Sequence, residues 1–254
     1  MSLMAIPRMT VPRMTVPRLL MVGVLMLGLL MAGMVVTDVS ADTSPFGDDR
    51  GAIAAERIEK ISRGRSVTII GDSLVENRGK LHIAPFAERG VKATADGYSG
   101  RTLRRGWLCR VNGVRKVYPL PVGTRCGIQG LELIMRMKRE GTLGSALVLA
   151  LGTNDASVFP GEKTVRNLDA VRSMIGERHL WLVTVVRLKD KARATAWNQT
   201  ATTWCARDVA CSVVPWASLK VAWDPKIYAA DGVHLLERGT KLRAEMIATV
   251  VVGP

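Results

Sequence analysis

Aromatic residues make up 5% of this 254-residue chain, and histidine occurs only three times. Without aromatics interleaved among its basic residues, the chain lacks the stacking platforms that nucleic-acid surfaces use, and no nucleic-acid partner is expected. No cluster of His, Cys and carboxylate stands at ligand spacing, and neither cysteine pair has the tight spacing of a zinc knuckle, so no metal is expected. A Gly-rich phosphate loop is also missing, which argues against a nucleotide and leaves no cofactor called for.

What is present begins with an N-terminal segment to be set aside. Arg8, Arg13 and Arg18 precede eighteen uncharged residues, Leu19 to Val36. A basic flank and an apolar core read as an export signal, and Val39-Ser40-Ala41 offers small residues for cleavage after Ala41. Residues 1–41 are expected to be a signal peptide or, if uncleaved, an N-terminal membrane anchor, since about 18 to 20 apolar residues suffice to span a bilayer. No cysteine follows the run for lipid attachment. Residues 42–254 then form one domain, secreted or held at the cell envelope.

All four cysteines, Cys109, Cys126, Cys205 and Cys211, lie beyond Ala41, where an exported chain meets oxidising conditions. Two disulfides are expected. Of three connectivities, Cys109 with Cys126 and Cys205 with Cys211 is favoured, because each pair closes a local loop. The formal net charge is +14, and removing residues 1–41 leaves 33 basic against 21 acidic residues. That excess suits adhesion to anionic envelope polymers or lipid headgroups, and equally a basic surface without a specific partner.

Short apolar runs at Ser66–Ile70, Val91–Ala95, Ala146–Leu151, Leu180–Val186 and Cys211–Val214 read as buried strands. Helical periodicity marks Gly51–Ile61, Leu131–Lys138, Gly161–Ile175, Ala192–Asp208 and Glu237–Val251. Strands alternating with helices predict a parallel sheet covered on both faces. Trp107–Gly127, with its prolines and glycines, reads as a long ordered loop or small hairpin.

Three islands then carry the chemistry: Gly71-Asp72-Ser73 after one strand, Gly152-Thr153-Asn154-Asp155 after another, and Asp231-Gly232-Val233-His234 before the last helix. A nucleophilic hydroxyl needs a base to take its proton, a carboxylate to orient that base, and donors where charge develops on the attacked oxygen. Ser73, His234, Asp231 and Asn154 are candidates for those roles. A lone Gly-Asp-Ser arises by chance in about one such chain in twenty, so the weight lies on order, strand context and convergence at the carboxyl edge of a sheet. Asp72 is expected to tighten the nucleophile turn and Asp155 to cap a helix or support the site. His82 and His179 lack partners at catalytic spacing and read as structural.

With the blocks GDSL, GYSGRTL, GTND and DGVHL, the chain resembles the SGNH (GDSL-type) hydrolase superfamily. The resemblance implies a three-layer α/β/α sandwich around a parallel sheet of about five strands, a flavodoxin-like fold. It also implies Ser73 as nucleophile, Asp231 and His234 as the rest of the triad, and an oxyanion hole from the Ser73 and Gly100 N–H groups and the Asn154 amide. Gly97 is the alternative backbone donor, and Gly100 could instead only permit a turn. Val213-Val214-Pro215-Trp216 and Tyr228 to Leu235 look most like exported single-domain members and the extracytoplasmic domains of polysaccharide O-acetyltransferases.

The expected function is an exported serine esterase acting on ester-linked acyl groups of envelope glycans or glycolipids through an acyl-serine intermediate. An O-acyltransferase to a sugar hydroxyl uses the same intermediate, and a non-catalytic envelope-binding protein is a further alternative. Arg101, Arg104, Arg105, Arg110, Arg115, Lys116 and Arg125 surround the second block, either lining a cleft wall that draws anionic substrate or forming a solvated loop. Asn198-Gln199-Thr200 matches a glycosylation acceptor triplet.

Overall fold

A computed structural model of the chain describes residues 66–111, 114–115, 126–158 and 161–253. The expected signal or anchor, 1–41, and the helix expected at Gly51–Ile61 lie outside the described residues. Five short segments form the parallel sheet: β1 (Ser66–Gly71), β2 (Lys92–Gly97), β6 (Ala146–Ala150), β7 (His179–Val183) and β8 (Cys211–Val214), in the order β2-β1-β6-β7-β8. All their pairings are parallel.

Because side chains alternate along a strand, the central strands β1, β6 and β7 feed both faces. Val67, Ile69, Val148 and Val183 pack on one side with Phe86, Ile247, Ala248 and Val251; these come from helices α1 (Gly79–Glu88) and α6 (Glu237–Val252). Ile70, Leu147, Leu149, Leu180 and Leu182 pack on the other, against Leu133, Leu168, Val171 and Trp197. Those belong to α2 (Gly130–Arg139), α4 (Glu162–Ile175) and α5 (Lys191–Cys205). A sheet apolar on both faces must be covered twice, which is why the chain forms an α/β/α sandwich.

One strand is shorter than the sequence reading has it, and the hairpin expected within Trp107–Gly127 is part of a small sheet. The strand expected to run to Val186 ends at Val183. Beyond it the Val185 N–H and C=O bond the Asn198 side chain at 2.8 and 2.9 Å instead of another strand. The same fork withdraws Asn198, which belongs to the acceptor triplet, into a packed contact with the backbone. Trp107–Gly127 contains a small antiparallel sheet of β3 (Trp107–Val111), β4 (Val114–Arg115) and β5 (Cys126–Ile128), in the order β4-β3-β5. Cys109 opposes Cys126 across β3 and β5 and is disulfide-bonded to it; Cys205 bonds Cys211 between α5 and β8.

The sheet order places a switch point between β1 and β6. From β1 the chain turns to β2 on one side, then returns to lay β6 on the other. Such a point leaves a crevice beyond the carboxyl ends of the two strands. Ser73 stands two residues past the end of β1, and Asn154 four past the end of β6.

Candidate active site

The Gly-Asp-Ser segment makes a tight turn off β1. The Asp72 carbonyl accepts the Val75 and Glu76 N–H groups at 3.1 and 3.0 Å, and its Oδ1 accepts the Leu74 N–H at 3.0 Å. This turn crowds the end of β2: a Cβ on Gly97 would lie 2.2 Å from the Glu76 backbone nitrogen. Only glycine permits that approach. The turn leaves Ser73 half-buried, its hydroxyl able to meet solvent-borne substrate.

Across the rim, Ser73 Oγ lies 2.8 Å from His234 Nε2, and His234 Nδ1 lies 2.5 Å from Asp231 Oδ2. A carboxylate can only accept, so Nδ1 carries the imidazole proton and Nε2 presents its lone pair to the Ser73 hydroxyl. Asp231 Oδ1 also accepts the Val233 and His234 N–H groups, at 2.8 and 2.9 Å. Partial burial would raise the Asp231 carboxyl, but the imidazole and these two backbone donors overcome it and hold it down at about 2. An acid that strong stays ionised at neutral pH and can stabilise an imidazolium at His234.

The loop bearing Asp231 and His234 is fastened from two sides. The Leu188 N–H donates to the Gly232 carbonyl (2.9 Å), and Lys189 Nζ donates to the Ala230 carbonyl (2.7 Å). Beside them, Arg187 Nη1 donates to the Thr153 carbonyl at 2.7 Å, tying the same strap to the β6 loop. Arg78, just after the nucleophile turn, donates to the Leu235 carbonyl and the Thr240 hydroxyl. Nothing in the spacing of these residues announces the strap; it arises because β7 ends early and its continuation folds over the rim.

Asn154 is half-buried, and its Nδ2 donates to the Arg101 carbonyl at 3.1 Å and faces Asp72 Oδ2 at 3.5 Å. Gly100 has φ 75° in a turn closed by the Arg101 N–H on the Tyr98 carbonyl at 3.0 Å. Among the described residues neither the Ser73 nor the Gly100 N–H donates to another group. Asp155 opens the short helix α3 (Asp155–Val158), and its Oδ1 accepts the Leu103 N–H at 2.7 Å. Burial pushes its carboxyl up to about 7; the Leu103 N–H opposes the rise and the Asp72 charge adds to it.

The arginines divide. Arg101 is buried, donating to the Ile128, Gly71 and Asp96 carbonyls and the Asp96 carboxylate. It is therefore a clamp among β1, β2 and β5 and not part of a cleft wall. Arg105 is exposed, and Arg110, Arg115, Lys116 and Arg125 have no described side chains. Of the other histidines, His82 is buried with Nε2 on the Leu74 carbonyl (3.1 Å), and burial with the Arg243 charge lowers it to about 4. His179 bonds Ser212 Oγ from the far end of the sheet and lies against Trp181.

No family model and no curated protein matches the sequence. Solved structures do. The C-terminal catalytic domain of Streptococcus pneumoniae peptidoglycan O-acetyltransferase A superposes with a TM-score of 0.53 at 17% identity, over 72% of this chain and 90% of that one. A carbohydrate esterase family 3 protein from Talaromyces cellulolyticus gives 0.52 at 15% identity, over 74% and 96%. A member of the lipolytic G-D-S-L family from Veillonella parvula gives 0.50 at 15%, over 74% and 97%. The chain has the SGNH hydrolase fold. In this SGNH sandwich the sequence blocks fall at the strand ends and loops just described, and the Arg187–Lys189 strap and the Arg101 clamp are the parts that sequence reasoning missed.

Proposed function

We propose that the protein is an exported serine esterase that removes ester-linked acyl groups from envelope glycans or glycolipids. The observation that carries this reading is the unbroken chain from Ser73 Oγ through both His234 ring nitrogens to Asp231, at 2.8 and 2.5 Å on an accessible rim. Ser73 attacks the ester carbonyl while His234 Nε2 takes its proton; Asp231 holds the imidazolium. The oxyanion forms among the Ser73 and Gly100 N–H groups and the Asn154 amide, whose 3.5 Å contact with Asp72 is long enough to leave one hydrogen for it. His234 returns the proton to the leaving sugar oxygen, and water activated by the same imidazole releases the acid.

Two disulfides accord with an oxidising compartment, and we assign residues 1–41 as the export signal or anchor on their sequence pattern. The second reading, an acyltransferase, is favoured by the likeness to a peptidoglycan O-acetyltransferase domain. The two differ in whether water or a sugar hydroxyl resolves the acyl-enzyme, a matter of water access and not of the triad.

The test is turnover of p-nitrophenyl acetate by residues 42–254 and by Ser73→Ala, with and without a chito-oligosaccharide acceptor, products read by mass. Ser73-dependent acetate release supports the esterase, with Ser73→Ala expected to lose roughly 10⁴-fold or more in kcat. Acetylated sugar as the main product makes the transferase the function. No Ser73-dependent release from acetyl or long-chain esters overturns both.

A further inference from the structure

Three segments must meet for the proposed oxyanion hole to form: the Ser73 turn after β1, the Gly100 turn after β2 and the Asn154 loop after β6. Arg101 is bonded to all three. It is 3% exposed. Its Nη1 donates to the Gly71 carbonyl at 3.0 Å and the Asp96 carbonyl at 2.8 Å, its Nε to the Ile128 carbonyl at 2.8 Å, and its Nη2 to Asp96 Oδ1 at 2.7 Å.

Gly71 and Ile128 are the last residues of β1 and β5, and Asp96 is the last but one of β2. Buried carbonyls where strands end need donors, and a guanidinium supplies several at once. Its donors stand in one plane at fixed angles, so the three strand ends are held at set spacings. A lysine carries a single ammonium on a flexible stem and cannot reproduce that fork.

The backbone of Arg101 carries this fixed point into the site. Its N–H closes the Gly100 turn on the Tyr98 carbonyl at 3.0 Å, and its carbonyl accepts Asn154 Nδ2 at 3.1 Å. A carbonyl can only accept, so this bond turns the nitrogen of the Asn154 amide, and not its oxygen, toward the nucleophile turn, where it also faces Asp72 Oδ2 at 3.5 Å. Ser73 stands two residues after Gly71. The path from nucleophile to amide is therefore short: the Gly71 carbonyl, the Arg101 guanidinium, the Arg101 carbonyl, Asn154. The nearby bond from the Leu103 N–H to Asp155 joins the same two loops without touching β1.

We propose that Arg101 is a positioning residue: bonded through its side chain to the end of β1 and through its carbonyl to Asn154, it sets where the Asn154 amide stands relative to Ser73. The proposal rests on Ser73 and Asn154 acting as described under the proposed function.

The experiment is a cycle of Arg101→Lys, Asn154→Ala and the double variant, with Asp96→Ala as a milder loosening of the same fork. It reads kcat and KM for p-nitrophenyl acetate, and the affinity for phenylboronic acid, whose tetrahedral adduct with Ser73 places an oxygen where the oxyanion forms. It also reads the Asn154 side-chain amide resonances by NMR, identified by their loss in Asn154→Ala. Arg101→Lys keeps a charge beside Asp96 but loses the fork. It is expected to lower kcat roughly 10- to 100-fold, the size of a small misplacement of reacting groups, with KM little changed, because the hole acts in the transition state. Boronic-acid binding weakens by a similar factor, and the Asn154 resonances move. Once Asn154 is alanine, the same change costs at most about threefold, since the group it positions is gone. Asp96→Ala loses roughly three- to tenfold in kcat, as for one bond.

Losses that multiply in full in the double variant, or a change confined to KM, would show that Arg101 only supports the fold and overturn the proposal. If Arg101→Lys does not fold, Asp96→Ala goes through the same cycle: a kcat loss that vanishes beside Asn154→Ala supports the proposal, and an unchanged kcat or a fully multiplied loss overturns it. The resonances need no turnover. An inactive wild-type protein sinks the esterase reading, while Asn154 signals that move with the fork still support the positioning, and signals that stay in place overturn it.

Discussion

Ser73, Asp72 and Asn154 stand just past the ends of buried parallel strands, whereas Asp231 and His234 stand in a loop where each side chain is 48% exposed. The first group is positioned collectively. The ladder of β1 and β6, the apolar layers above and below, and the buried Asp72 hold the backbone from which Ser73 and Asn154 project. The second group is positioned by separate polar bonds: Asp231 Oδ1 on two backbone N–H groups, Ala229 N–H on the His234 carbonyl, and the Leu188 and Lys189 strap. Each such bond is worth about 0.5 to 1.5 kcal/mol. Ser73 and Asn154 are thus fixed by packing and His234 by adjustable contacts, a division that suits the two proton transfers proposed for His234.

Variants on the two sides should differ in kind as well as size. Asn154→Ala is expected to lower kcat by roughly 10²- to 10³-fold, the usual effect of losing one oxyanion donor, with Ser73 still labelled by an active-site phosphonate. An unchanged kcat would remove Asn154 from the site and break the comparison at its rigid half.

The Asp155 carboxyl sharpens the same half through pH. Its folded value of about 7 lies above the 3.8 of an unperturbed aspartate, so between these the folded state holds a proton that the unfolded state does not. Its contribution is complete below about 4 and is lost as pH rises through about 7. Urea unfolding at pH 4, 5.5 and 7 should show wild-type stability falling over this window by an amount on the order of 3 kcal/mol from this group, and Asp155→Asn should flatten that slope. An identical slope in the variant would mean that Asp155 is ionised in the fold.

The smallest effect is expected at the exposed half. Lys189→Met removes one bond to the Ala230 carbonyl. It should lower kcat by roughly two- to tenfold, the equivalent of a bond of about 1 kcal/mol, and leave the unfolding midpoint nearly unchanged. A fall as deep as that of Asn154→Ala would show that the loop depends on the strap far more than the bond geometry implies.

Much of the architecture was legible because parallel strands buried on both faces write themselves as continuous apolar runs, here Val67–Ile70 and Ala146–Leu151. Helix α1 was less legible: Gly79–Glu88 carries Pro85 and only three buried side chains, too weak a stripe to stand out. The end of β7 was misread because Val185 and Val186 are as apolar as a strand requires, yet the Asn198 side chain takes the backbone bonds of Val185. Arg101 was read as a surface charge because three of its four partners are carbonyls, which leave no mark on composition.

By itself the sequence determined which groups are available: one serine in a Gly-Asp-Ser turn, one histidine three residues after an aspartate, and strands placed so that these fall at a sheet's carboxyl edge. Such features are local, set by the period of side chains along a strand and by what a turn permits. The tertiary structure alone decided that Arg101 and Arg243 are buried, that the β7 continuation fastens the His234 loop, and that the Asp72 and Asp155 carboxyls lie in the interior. The reason is physical: burial and electrostatic partnership depend on distances between residues far apart in the chain, and those exist only once the sheet has closed its layers.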